Sequence, residues 1–167
     1  MAMNTTQQQL WKRLVAYDPD FGGGTFSFSM RLARENGWPM AYCIRAVQEY
    51  RKFMFLACCA GHPVTPSDQV DQVWHLHLLY TQEYWQQFCG KVLQQDIHHG
   101  PTRGGTAERD KYNDWYNKTL DSYFQFFEKT PPDDVWPPAK QRFAEINFRR
   151  VNMHRFRLLP RLRLKIR

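Results

Sequence analysis

No stretch of this 167-residue chain approaches about eighteen consecutive apolar residues, so no membrane-spanning helix is expected. Met1 to Leu10 is polar and glutamine-rich, without the basic and apolar regions of a secretory signal. Cysteine is scarce: Cys43, Cys58, Cys59 and Cys89 include no Cys-x-x-Cys pair. Each lies among large apolar residues in a stretch that reads as helix. Reduced, packed thiols and a cytoplasmic location are therefore expected rather than a disulfide framework. Neither His-Glu-x-x-His nor the Gly-Lys-Ser/Thr ending of a phosphate loop occurs, and no four-cysteine zinc spacing is present. The chain shows no internal repeat.

Acidic residues are sparse in one place. From Lys140 to Arg167 there are ten Lys or Arg against one Glu, a balance of +9. The other 139 residues therefore carry −2 of the +7 total. The basic character belongs to a C-terminal arm and not to the body. We divide the chain into a helical domain over 1–148 and a basic tail over 149–167.

Aromatic side chains are plentiful, at 16% of the sequence, and supply large anchors for a helical interior. The spacing predicts a mainly α, compact bundle of about five to six helices. A short amphipathic segment runs from about Thr5 to Val15, with Leu10, Trp11, Leu14 and Val15 on one side. A loop with Pro19 and Gly22 to Gly24 follows. Ser27 caps a helix that stops at Gly37. Pro39 opens the next, which reaches about Ala60 with Ile44, Val47, Tyr50, Met54 and Phe55 at helical spacing. Ser67 caps a helix expected to continue to Cys89, and Gly90 to Gly105 reads as loop. A long helix from about Thr106 to Glu128 presents Tyr112, Trp115, Tyr116, Leu120, Tyr123, Phe124 and Phe127. After the Thr130 to Asp134 turn, Trp136-Pro137-Pro138 opens a last short helix. Arg161 to Arg167 alternates basic and apolar residues, which is strand periodicity.

The helix after Ser67 carries the chemistry. At about 100° per residue, Val70, Val73, His77, Tyr84 and Phe88 share a stripe that Trp74 and Trp85 flank. His77 thus points to the core, while Asp71 and His75, one turn apart, face another side. They can share a metal, or Asp71 can accept a hydrogen bond from the imidazole. A zinc or iron site needs further ligands. His98 and His99, on the loop beyond the helix, are the nearest in sequence, and adjacent residues diverge, so one of them is expected to face the site. His62 is another source. The candidate metal set is thus Asp71, His75, His98 and His99, with Trp74, His77, His62 and Tyr84 as supporting or core polar residues. The same residues also fit a structural hydrogen-bond network.

Gly61 to Ser67, Val70-Asp71-Gln72-Val73-Trp74-His75-Leu76-His77-Leu78-Leu79-Tyr80-Thr81, Tyr84-Trp85, His98 to Thr102, Pro131-Pro132 and Asp134 to Pro137 together resemble the glycine-rich domain-containing protein-like family. The resemblance spans about Phe26 to Phe143 and is that of a stand-alone bacterial-type member. It implies that Asp71, Trp74, His75, His77 and the His98-His99 loop form one constellation. The roles of plant relatives do not carry over, because only Gly22 to Gly24 is glycine-rich here and no RNA-recognition motif is present.

Other chemistry is less favoured. Cys89 as a nucleophile with His98 as its base conflicts with a position near a helix end, where the dipole disfavours thiolate. Arg103 and Gly104, before the next helix, form an anion-binding candidate, and Glu108 is a carboxylate near the site. The tail reads as a packed edge strand, a polyanion-binding arm or a disordered end. The leading expectation is a zinc- or iron-binding helical domain, and, if it is an enzyme, a metal-assisted hydrolase, with an unidentified small molecule or protein as partner. The alternative is a non-catalytic interaction module whose Asp/His cluster is structural and whose basic tail contacts a protein or polyanion.

Overall fold

Side-chain caps delimit three of the helices, and a computed structural model shows how the helices assemble. It describes residues 3–20, 25–100 and 106–144, with His154, Arg157 and Leu159 singly; for 106–110 only the helical backbone is described. Asn4 caps α1 (Thr5–Ala16) with a reciprocal Gln7 bond. Ser27 Oγ accepts from the Met30 amide to start α2 (Phe28–Asn36), and Gly37, at φ 65°, ends it in the left-handed region that favours glycine. Pro39 precedes α3 (Met40–Cys59), and Ser67 caps α4 (Asp68–Leu79). Two further α-helices follow, α5 (Thr106–Phe127) and the short α6 (Ala139–Arg142).

Between α4 and α5 the chain departs from expectation. The helix does not continue unbroken to Cys89. It stops at Tyr80, whose φ of −89° and ψ of 61° are non-helical, and resumes as a π-helix over Glu83–Leu93. Residues 90–93 therefore belong to this helix and not to the loop. The i→i+5 bonding of a π-helix is rare and frequent at functional sites. Gly90 suits it: a Cβ there would lie 3.3 Å from the Trp85 carbonyl oxygen. The break preserves the apolar stripe, since Val70, Val73, His77, Tyr84 and Phe88 are all buried.

The long α3 lies at the centre, against α1, α2, α4 and α5. Its Cys43, Ala46, Val47, Tyr50, Phe53, Met54, Phe55 and Leu56 are buried, more than one face of the helix, as a central element requires. Ile44, Val15 and Phe124 are instead more than half exposed. Among the described residues there is no strand, and no helix is long and apolar enough to cross a membrane. All four cysteines are unpaired. Gly22 to Gly24, Arg103, Gly104, the Glu108 side chain and Arg161 to Arg167 lie outside the described residues.

Candidate metal centre

Asp71 enters the site from the first turn of α4, where the helix N-terminus favours a carboxylate. His75 is one turn on. Opposite them is the loop that follows the π-helix. Gln94 turns the chain in the left-handed region at φ 58°, and the Gln95 amide bonds back to the Cys89 carbonyl at 3.2 Å. The loop then runs alongside α4 and delivers His99. His99 Nε2 lies 2.8 Å from Asp71 Oδ1 and 3.1 Å from His75 Nε2; His75 Nε2 lies 3.6 Å from Asp71 Oδ2.

Three potential ligand atoms thus converge, one from each residue, all within 4.8 Å of one another. An imidazole nitrogen carries either a proton or a lone pair. His99 Nε2 therefore cannot donate to Asp71 and accept from His75 together; one proton shared between them, or a bound cation, are the two ways to join the three groups. A tetrahedral ion with bonds of about 2.0–2.1 Å sets its ligand atoms roughly 3.3 Å apart. His99 Nε2 lies near that spacing from both Asp71 Oδ1, at 2.8 Å, and His75 Nε2, at 3.1 Å, while the 3.6 Å separation from His75 is to the other carboxylate oxygen, Oδ2. The residues present therefore fit a divalent cation. The Asp71 and His99 side chains are 18% and 20% exposed and that of His75 is 48% exposed, so the site opens to solvent on the His75 side.

The adjacent histidines diverge. His98 is exposed and its ring packs against Trp85 at 5.2 Å, away from the converging atoms. His77, two residues after His75, is fully buried. Its Nε2 lies 3.0 Å from the Tyr17 hydroxyl and its Nδ1 2.9 Å from that of Tyr50. Burial pushes its pKa down from 6.5 to about 3, so the ring is neutral, with one nitrogen donating and the other accepting. His62 also lies elsewhere. Its Nδ1 donates to the Pro63 carbonyl at 2.9 Å, which leaves Nε2 to accept from Ser122 Oγ at 2.7 Å, tying the 61–66 loop to α5.

Trp74 and Tyr84 stand directly behind the centre. The Trp74 and His99 ring centroids are 4.5 Å apart, edge to face. Trp74 Nε1 donates to the Tyr84 hydroxyl at 2.9 Å, and that hydroxyl donates to the Ile97 carbonyl at 2.5 Å. Cys89 lies beside Tyr84, and burial raises its thiol pKa, opposite to what a nucleophile needs.

The sequence offered no sign of a second buried polar group. Glu49 holds Lys52 Nζ at 2.7 Å and accepts from Trp136 Nε1 at 3.0 Å, and Lys52 also reaches the Tyr123 hydroxyl at 2.6 Å. These partners lie up to 87 residues apart. A cleft of about 350 Å³ lined by Leu120, Phe124, Pro131 and Trp136 is separate from the Asp71 cluster, which contributes nothing to it. Chemistry and not cavity size therefore marks the candidate site.

No curated protein and no solved structure matches this chain. The resemblance to the glycine-rich domain-containing family is corrected by the family match, which falls elsewhere. The Asp-x-x-Trp-His-x-His segment is too short to assign a family, whereas the match runs from α2 to the end of α5 and takes in Asp71, His75 and His99. Over residues 33–126, more than half its length, the chain belongs to the UCP032817-like family.

Proposed function

We propose that this protein is a divalent-metal-binding helical domain, with Asp71, His75 and His99 as ligands and zinc or iron as the ion. The observation that carries the reading is the convergence of two imidazole Nε2 atoms and a carboxylate, one potential ligand atom from each residue, within 4.8 Å of one another. Two histidines and one carboxylate with open positions suit catalytic zinc and also non-haem ferrous iron. The solvent-facing His75 side argues against a closed structural site, which uses four protein ligands.

A bound ion supplies Lewis acidity toward an incoming oxygen ligand. The protein's part is to hold the ligands and to move protons. Asp71 lowers the net charge of the centre. His99 is oriented by the Trp74 ring, and His75 borders the open side. His98, next in the chain, is exposed and packs against Trp85, outside the ligand set. Metal-assisted hydrolysis is the simplest reaction for this set.

Elemental analysis of protein purified without a histidine tag tests the reading. Near-stoichiometric zinc or iron, lost in His75→Ala and in His99→Ala, is the expected result. Folded protein that contains no metal and takes up neither Zn²⁺ nor Co²⁺ would overturn it.

A further inference from the structure

We infer that Tyr84 is the positioning residue of the metal centre: its hydroxyl locks the loop that presents His99 onto the helix that presents Asp71 and His75. The inference rests on the metal reading above and adds to it a determinant that touches no ligand.

Two of the three proposed ligands share α4 and hold their spacing by helix geometry alone. The third does not. His99 sits on the segment after Leu93, outside any helix, and its place relative to α4 must be set by tertiary contacts. Three such contacts are on the ligand side: the Trp74 ring against the His99 ring, the Trp74 Nε1 bond to Tyr84, and the Tyr84 bond to the Ile97 carbonyl. Tyr84 is the hub, because its single hydroxyl both accepts from α4 and donates to the loop two residues before His99. The side chain is fully buried, so water cannot replace either bond cheaply. Cys89 and Phe88 pack around it and restrict its rotation.

The π-helix explains why a tyrosine at this position can do this. Tyr84 lies one residue into that element, just after the non-helical turn at Tyr80. The turn and the wider helix bring its hydroxyl back to Trp74, ten residues earlier, while the far end of the same helix feeds the His99 loop. Element, hub and loop form one mechanical unit behind the metal.

The test compares two buried tyrosines. Tyr84→Phe removes the hydroxyl and keeps the ring. Tyr116→Phe removes a similar bond, in which Tyr116 donates to the Pro137 carbonyl at 2.7 Å and not to the His99 loop. Zn²⁺ affinity is measured by chelator competition, and Co²⁺ absorption reports the ligand geometry. Tyr84→Phe should weaken Zn²⁺ binding by roughly tenfold or more, the range typical of groups that orient ligands, and alter the Co²⁺ spectrum. Tyr116→Phe should lower stability and leave both readouts as in the wild type. Equal Zn²⁺ affinity for wild type and Tyr84→Phe overturns the inference while leaving the metal reading intact. Wild-type protein that binds neither ion overturns both. If Tyr84→Phe does not fold, Trp74→Phe, which removes the donor to Tyr84 and keeps an aromatic ring beside His99, is titrated instead, and Zn²⁺ affinity equal to that of the wild type overturns the inference.

Discussion

His75 and His99 are 24 residues apart in the chain and bring their Nε2 atoms to 3.1 Å. The adjacent His98 turns the other way, onto Trp85. This divergence yields a sharp prediction. His99→Ala should abolish tight Zn²⁺ binding, whereas His98→Ala should leave affinity within about twofold, less than 0.5 kcal/mol by the usual conversion. Parallel chelator-competition titrations of the two variants check it. Equal losses would mean that both histidines serve the ion.

His77 gives a pH dependence with a definite sign. Its pKa falls from 6.5 to about 3 on folding because burial penalises the charged ring. The unfolded chain therefore binds the extra proton first as pH drops. The stability contributed by neutral His77 is full above pH 6.5 and is lost progressively toward pH 3. One such group makes stability fall by up to about 1.4 kcal/mol per pH unit in that window. Urea midpoints of chelator-treated protein between pH 7 and 5, with His77→Gln alongside, measure it. The variant should show the shallower slope, and identical slopes would refute the assignment.

Glu49 is a buried carboxylate held by Lys52 and Trp136. Glu49→Ala leaves the Trp136 indole without its acceptor and Lys52 with only Tyr123, and should cost about 1–3 kcal/mol. Glu49→Gln keeps one acceptor for the indole and should cost less. Denaturant unfolding gives both values. Metal affinity should not change, since this group ties α3 to the turn before α6 and not to the His99 loop.

Gly90 tests the π-helix. A Cβ would meet the Trp85 backbone carbonyl at 3.3 Å, and a carbonyl inside a helix yields little. Gly90→Ala should therefore destabilise the protein by roughly 1 kcal/mol, although in an ordinary α-helix the same change is stabilising by a similar amount. Thermal unfolding of the variant decides the sign.

Most helices were legible because their signals are local. Ser27, Gly37 and Ser67 act within one turn of where they stand, and the stripe from Val70 to Phe88 follows from periodicity. The same arithmetic separated His75 from His77, since two residues on a helix span about 200°. Three things were not local. No proline or glycine marks the break at Tyr80, and the Tyr84 and Phe88 side chains just beyond it are buried. The choice of His99 over His98 depends on the Trp74–Tyr84–Ile97 tether. The tyrosine partners of His77 come from 60 and 27 residues away. Helix propensity and capping thus placed Asp71 and His75 on one face. Only packing, which acts between residues distant in the chain, brought His99 to them.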